Sequence, residues 1–383
     1  MTVVWTFPTR ILFGAGAARE AGAEAKPFGA SRALLVTDES VEATGHTTLV
    51  VESLARAGIT TAIFDQVSSN PLETEVLAAA DAYRHADASL LVAVGGGSVI
   101  DVAKLTRIAV SHPLPLAPYG ARKNGEAKLV GNLPPLLAVP TTAGSGSEVM
   151  GTAHVTIQST HRKTLFASPK LLPTVAIHDP SLTVSLPPRL TAASGMSALA
   201  RCIEAYQAPG DHPMADAIAL NGIAQLLSAF ERAVLDGGDV DARGTMLKAS
   251  MMGAVAAQKG LGLSDAIAHA LTVEAGVHHG LASAVALPHV LDYNRSAVQD
   301  KIAKLARLFG ARGTDTETLA FECAGAVRSL RKKVGLPDSL PALGIDEKRI
   351  ERIATVALED PSRDTNPRAA TLEDVVSLLQ AAL

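Results

Sequence analysis

Cysteine is scarce in this chain: two residues, Cys202 and Cys323, among 383. They lie far apart and form no Cys-x-x-Cys pair, which argues against a disulfide framework and sets the expectation of a reducing cytoplasm. Aromatic residues make up only 3% of the sequence, so neither a carbohydrate platform nor a base-stacking surface is indicated. An excess of one charge is also missing. Lys and Arg number 34 against 38 Asp and Glu, a formal net charge of -4, which leaves no basic footprint for nucleic acid. No apolar run reaches the roughly 18 residues a membrane span requires. Residues 1–8 lack a charged start followed by a long apolar core, so no signal peptide is expected. Neither a nucleic-acid partner nor a membrane is expected.

Apolar residues are plentiful, at 48% with only 19% charged, and glycine is common at 31 residues. A chain of this length and composition is expected to form two well-buried domains. In the first half, short apolar runs bounded by turn residues fall at 10–13, 33–37, 61–65, 89–94 and 135–139, with helical patterns at 41–57 and 73–85 between them. Further strands are expected at 153–157 and 174–178. Strands alternating with helices point to a parallel sheet covered on both faces. Beyond Asp179-Pro180-Ser181 the pattern turns helical, at 190–208, 213–235, 242–259, 263–276, 298–308, 316–334, 346–357 and 371–383. The expected organisation is an α/β domain over 1–180 and an all-helical domain over 181–383. A site built from both halves is expected in the cleft between them.

Three loops carry the polar chemistry of the first half. The strand Val92-Ala93-Val94 feeds Gly95-Gly96-Gly97-Ser98-Val99-Ile100-Asp101. Glycines let a backbone approach a phosphate closely, and the following helix offers free N–H groups and a favourable dipole. Ser98 can cap that helix or donate to phosphate; the run also reads as an ordinary tight turn. The second loop is Pro140-Thr141-Thr142-Ala143-Gly144-Ser145-Gly146-Ser147-Glu148, whose hydroxyls suit a ribose or phosphates, although alone it passes for a polar turn. Asp38 ends the strand at Leu34-Leu35-Val36-Thr37. A carboxylate there can accept from a ribose diol and repel a 2′-phosphate, or simply cap the next helix.

In the second half the informative residues sit one helical turn apart. Ser197 and Arg201 are i and i+4 on one helix, and Asp265 and His269 are i and i+4 on another. His279 follows, preceded by His278.

From Asp179 to Met196, and on through Cys202-Ile203-Glu204-Ala205-Tyr206, Pro288-His289 and the tail 366–374, the chain closely resembles the iron-containing (group III) alcohol dehydrogenase family. The resemblance covers essentially the whole sequence. It implies a Rossmann-like α/β NAD-binding domain followed by a helical catalytic domain, the two-domain architecture shared with dehydroquinate synthase. It implies pyrophosphate binding at Gly95, Gly96, Gly97 and Ser98, with Asp101 closing the motif. Nucleotide contacts are implied at Thr141, Thr142 and Ser145, and cofactor-facing places for Asn70 and Lys163. An Asp at position 38 is associated with NAD(H) over NADP(H). The implied activity is NAD(P)-dependent interconversion of an alcohol and an aldehyde or ketone, by a homodimer or larger homo-oligomer.

The resemblance breaks at the metal. The family carries Gly-Met-Asp-Ala-Leu-x-His, then His-x-x-x-His, then Pro-His-Gly, and four of those residues bind one divalent ion. The matching positions here are Ser197, Arg201, Asp265 and His279, so a catalytic metal is expected to be absent. Arg201 is expected to pair with Asp265 in the vacated place, with Ser197 as a hydrogen-bond partner, and either to stabilise an alkoxide or to anchor a substrate carboxylate. Glu204 is an alternative partner for Arg201. Asp265, His269 and His279 also supply enough donors for zinc or iron, although Arg201 opposes a cation. Histidines at 269 and 279 are features of the family's metal-independent branch, the maleylacetate reductases, so reduction of an unsaturated oxo acid is the runner-up activity. A nucleotide-binding relative without catalysis is the alternative of another class.

Overall fold

The computed structural model describes residue 7, residues 9–160 and residues 162–383. Most of the segment on which the absence of a signal peptide was read lies outside the described residues. Among the described residues the chain forms two compact units: residues 7–142 with 146–186, and residues 187–383 with 143–145.

The α/β unit runs β1 (Arg10–Phe13), α1 (Ala21–Ala25), β2 (Arg32–Val36), α2 (Glu39–Glu42), α3 (His46–Arg56), β3 (Thr60–Phe64), α4 (Glu73–His85), β4 (Leu90–Gly95), α5 (Gly97–Ser111), β5 (Leu136–Pro140), β6 (Thr152–Ile157), β7 (Arg162–Ala167) and β8 (Val175–His178). Six strands form one sheet in the order β1-β8-β5-β4-β2-β3, with every pair parallel. β6 and β7 form a separate antiparallel hairpin. The central strands are apolar on both faces because both are covered. Leu34, Val36, Leu91, Ala93, Leu136 and Ala138 pack into one core, and their alternates Leu35, Val92, Val94, Leu137 and Val139 into another.

The chain leaves β2 toward β3 and leaves β4 toward β5, so the direction of winding reverses between the neighbours β2 and β4. In open parallel sheets, ligands bind outside the carboxyl ends of strands at such a reversal. The loops beginning at Thr37 and Gly96 stand there, tied together by Thr37 Oγ1 donating to the Val94 carbonyl at 2.8 Å.

The helical unit comprises α6 (Pro188–Gln207), α7 (Pro213–Leu235), α8 (Val240–Ala256), α9 (Leu263–Ala275), α10 (His279–Asn294), α11 (Gln299–Leu308), α12 (Thr316–Lys333), α13 (Ile350–Glu359) and α14 (Leu372–Gln380). α7 is long and apolar enough to cross a membrane by length and composition alone. It carries Asp216, Glu231 and Arg232, and buries a stripe including Ala219, Ile223, Leu226 and Phe230, as a core helix does. Gly195 lets α6 pack closely: a Cβ there would meet Phe230 and Met246 at 2.4 and 2.5 Å.

Four features depart from the sequence reading. The helix expected over 41–57 is two, α2 and α3, broken at Gly45, whose φ of 78° is the left-handed conformation glycine tolerates. β7 was not expected, because its opening Arg162-Lys163-Thr164 is polar. α10 was not expected either, because Pro288 lies inside it. Proline removes the N–H that would bond the Ala284 carbonyl, and Arg331 Nη1 donates to that carbonyl at 3.3 Å instead. The expected boundary at 180 falls at 186, because Asp179 fastens the following turn to the α/β unit. Its carboxylate accepts from the Gly16, Ala18 and Ser181 N–H groups, each at 3.0 Å.

Candidate functional site

In the helical unit, three elements bring the site residues together. α9 begins at Gly262, which has no side chain to cap it. Its first N–H groups go to groups from elsewhere: Leu263 N donates to Asn366 Oδ1 at 3.1 Å and Ser264 N to Glu204 Oε1 at 2.7 Å. Glu204 Oε2 accepts from Asp265 N at 3.2 Å. A Cβ at 262 would stand 2.7 Å from Glu204 Oε1, so glycine is required for this cap in trans. α10 begins with His278 as its N-cap, Nδ1 accepting from Gly280 N at 3.2 Å. This gives His278 a structural task. Gly280 lies against α6, where a Cβ would fall 2.0 Å from the Ala193 carbonyl oxygen. The first residue of α10, His279, is thereby held beside α6.

Asp265, His269 and His279 converge. His279 Nε2 stands 3.4 Å from Asp265 Oδ1, and His269 Nδ1 stands 3.7 Å from Asp265 Oδ2. The two imidazole rings are 5.0 Å apart, tilted by 42°. Asp265 is buried, while the His269 and His279 side chains are 12% and 23% exposed.

The electrostatics separate these groups. Burial acts to raise the Asp265 carboxyl, but the charge of His269, a hydrogen bond from His279 and the charge of Arg201 hold it well below the usual carboxylate range. Burial, with the Asp265 charge nearby, pushes Glu204 well above that range. Burial pushes the His279 imidazole down to about 4, against the pull of Asp265. His279 is therefore neutral near pH 7 and can offer or accept one hydrogen bond without carrying charge.

Arg201 is the main correction. No ion pair joins it to Asp265 or to Glu204 among the described residues. Its Nη1 donates to the Gly144 carbonyl at 2.9 Å and also to the Ser145 carbonyl. Residues 143–145 cross back to the helical unit as a strap, lying so close to α6 that a Cβ on Gly144 would meet Ser194 at 3.0 Å. Two carbonyl groups of an irregular segment present a ready target for a guanidinium fork, and they draw it away from Asp265. Arg201 Nε is buried and without a hydrogen-bond partner. The charge still acts on Asp265 and His279. Ser197 is buried on the same helix and bonds neither Arg201 nor Asp265.

Ligand atoms of Asp265, His269 and His279 all lie within 4.8 Å of one another, a spacing that could hold an ion. The donor set does not fit the family's divalent metal. Only Asp265 and His279 of the four corresponding positions offer donors. His269 Nδ1, the nitrogen nearer Asp265, is already bonded to Asp360 Oδ2 at 2.9 Å. A dication would also stand in the field of Arg201, and the second carboxylate nearby, Asp360, is directed at His269 and not at the place between Asp265 and His279.

In the α/β unit the residues read as nucleotide contacts divide into two groups. Gly96 is the N-cap of α5 and Gly97 its first residue, with no side chain capping them, so this helix start is open to an anion. Asn70 Oδ1 is buried without a partner. These features fit a dinucleotide. Other residues are occupied by the fold. Ser98 is not the cap; its Oγ donates to the Ser69 carbonyl at 2.9 Å. Asp38 caps α2, its Oδ1 accepting from Val41 N at 2.9 Å and from Ser40 Oγ. Asp101 is turned inward, accepting from Ser147 Oγ at 2.5 Å and His154 N at 2.9 Å. Thr141 N donates to the Gly95 carbonyl at 3.1 Å, which locks the two loops side by side. Thr142 follows at the end of this unit, Ser145 belongs to the strap, and Lys163 lies in β7 opposite Thr156. Sequence reasoning missed Asp360 and Ser362, whose Oγ donates to Asp265 Oδ2 at 2.8 Å.

Comparison with known proteins agrees with this architecture. The chain matches the iron-containing alcohol dehydrogenase family over residues 8–180 and the C-terminal region of the Fe-containing alcohol dehydrogenase family over residues 191–383. It is 40% identical to 4-hydroxybutyrate dehydrogenase of Cupriavidus necator, with 98% of each chain covered. It is 34% identical to the NAD-dependent methanol dehydrogenase of Bacillus methanolicus, again with 98% of each covered. A crystal structure of 1,3-propanediol oxidoreductase superposes with a TM-score of 0.96 at 34% identity, covering 100% of both chains. These relatives are dehydrogenases that interconvert alcohols and aldehydes. Matched in both units and along its whole length, this chain belongs to the iron-containing alcohol dehydrogenase family.

Proposed function

We propose that this protein is an NAD-dependent oxidoreductase that interconverts an alcohol and its aldehyde, acting on small substrates that carry a carboxylate, with Arg201 in place of a metal. The observation that carries this reading is the meeting of Asp265, His269 and His279 near an arginine whose Nε is buried and unpartnered. A guanidinium with an unfilled donor suits a carboxylate. The relative at 40% identity is named for a hydroxy acid, 4-hydroxybutyrate, which supports an acidic substrate.

Gly96, Gly97 and Asn70 would hold the dinucleotide, and Asp38, at the end of β2, would favour NAD(H) by repelling a 2′-phosphate. When bound, the cofactor supplies or takes the hydride at the substrate carbon. The protein's own groups handle the charge and the proton. In reduction, an imidazole N–H bond breaks as the substrate O–H bond forms, and the ring later recovers its proton from solvent. His279, neutral and beside Asp265, orients the substrate oxygen by a hydrogen bond. Arg201 anchors the substrate carboxylate and contributes the positive field in which an alkoxide develops.

The test follows NADH absorbance with short ω-oxo carboxylates, such as the semialdehyde of 4-hydroxybutyrate, against uncharged aldehydes of equal length. Turnover should favour the acids and NADH over NADPH. Arg201→Ala should raise KM for the acids by about 10- to 100-fold, the worth of a charge-assisted hydrogen bond, leave KM for uncharged aldehydes nearly unchanged, and lower kcat for both through loss of the positive field. NADH binding without turnover of any carbonyl would contradict the catalytic reading, and equal KM changes for both substrate types would contradict carboxylate anchoring.

A further inference from the structure

The polar groups that reach the site from outside α9 and α10 include two from one short segment, Asp360-Pro361-Ser362. This segment opens the turn after α13, where Asp360 is the N-cap and its Oδ1 accepts from Ser362 N at 2.8 Å. Its other oxygen, Oδ2, is 2.9 Å from His269 Nδ1. Ser362 Oγ donates to Asp265 Oδ2 at 2.8 Å. Asp265 and His269 are one turn apart on α9, so neighbouring residues of a segment about 90 positions downstream grip successive turns of the same helix face. The Asp360 side chain is only 19% exposed. A carboxylate that is both a helix cap and the partner of an imidazole has little freedom to rotate.

We infer that Asp360 and Ser362 form a positioning clamp, in which Asp360 sets the ring orientation and tautomer of His269 and Ser362 holds the Asp265 carboxylate against both histidines. An ionised carboxylate only accepts hydrogen bonds, so His269 Nδ1 must carry the hydrogen directed at Asp360. Burial acts to raise the Asp360 carboxyl, yet the charge of His269 and the hydrogen bond to it hold it down to about 2, so it remains ionised. With Nδ1 committed, proton exchange with a substrate oxygen falls to Nε2. In the reductive direction the Nε2–H bond breaks, its proton forms the O–H bond of the alcohol, and the imidazole that remains keeps its Nδ1–H on Asp360. This is the role an orienting carboxylate plays in hydrolytic triads, where the wrong tautomer abolishes proton transfer. It assigns the proton-donor role to His269 and leaves His279 as the hydrogen-bonding imidazole. The inference rests on the reading of the site as one for alcohol–aldehyde interconversion.

Asp360→Asn keeps the shape and an oxygen for the Ser362 N–H but no longer imposes a tautomer. It is compared with wild type, His269→Ala and the double variant. The clamp predicts that Asp360→Asn lowers kcat by about 100-fold or more, with KM for NADH and the melting temperature little changed. It predicts that the same substitution adds no further loss on the His269→Ala background, because Asp360 acts only through that ring. An unchanged kcat, or an equal loss in both backgrounds, would overturn it. Nitrogen-15 spectra of the full-length wild-type protein labelled at histidine, with His269 assigned by its absence in His269→Ala, test the clamp separately from any activity. A protonated Nδ1 supports the clamp even if no carbonyl substrate turns over, and an unprotonated Nδ1 overturns it even if Asp360→Asn does not fold.

Discussion

The two units use their polar residues in opposite ways. At the carboxyl ends of β2, β4 and β5, most of the side chains with nucleotide-binding chemistry are spent on the fold: Asp38 caps α2, Ser98 ties to Ser69, and Asp101 turns inward to Ser147 and His154. What faces outward there is backbone, the uncapped start of α5. In the helical unit the arrangement is reversed. The backbone at the start of α9 is satisfied by Glu204 and Asn366, and side chains are left to meet one another. The difference teaches that a motif built on glycine binds through N–H groups its neighbours help to shape. A site on helix faces depends on each side chain individually, so it tolerates fewer substitutions and changes character when they occur.

The comparison is broken most severely at His279. His279→Ala should lower kcat by about 100- to 1,000-fold, the worth of one hydrogen bond to the developing oxyanion, while leaving NADH binding intact, as measured by steady-state kinetics and cofactor titration. An equal loss of NADH affinity would show that the division of labour is wrong. The same histidine carries a pH signature. Burial lowers its folded-state value to about 4, below the ordinary value of 6.5, so the unfolded chain binds the proton more readily between those pH values. Its stability contribution is therefore complete above pH 6.5 and declines as pH falls toward 4, by up to about 3 kcal/mol. Urea unfolding across that range should show a steeper decline for wild type than for His279→Gln.

Glu204 sharpens the comparison without touching a substrate. Glu204→Ala strips the cap from α9 and leaves buried N–H groups at Ser264 and Asp265 unsatisfied, at a cost of about 2 kcal/mol in unfolding free energy. Because α9 carries both Asp265 and His269, kcat should fall in parallel. The smallest effect is expected at Asp38. Asp38→Ala removes one helix cap, worth about 1 kcal/mol. Discrimination against NADPH should weaken at the same time, and unchanged discrimination would leave Asp38 with its structural task alone.

The sequence made the sheet legible because a doubly covered parallel strand has few alternatives: Leu90-Leu91-Val92-Ala93-Val94 can be little else. It made the site residues legible through spacing, since Asp265 and His269 share a helix face whatever the tertiary structure does. It did not reveal partners brought from a distance. Arg201 was read against the residues at the family's metal-binding positions, whereas the strap at 143–145 claims the guanidinium. Asp360 and Ser362 lie in a stretch rich in turn residues, where nothing local signals that their side chains return to α9. α10 was hidden by Pro288, because the rule that proline breaks helices has no knowledge of Arg331 waiting to serve the orphaned carbonyl.

The central claim is that the protein supplies from its own chain, through Arg201, the positive charge its relatives' family name assigns to iron. It is tested most directly by elemental analysis of the purified full-length protein, paired with the rate of NADH-dependent aldehyde reduction before and after exhaustive chelation. The account predicts far less than one metal ion per chain and an unchanged rate. One tightly held ion per chain, with activity lost on chelation and restored by that metal, would contradict it.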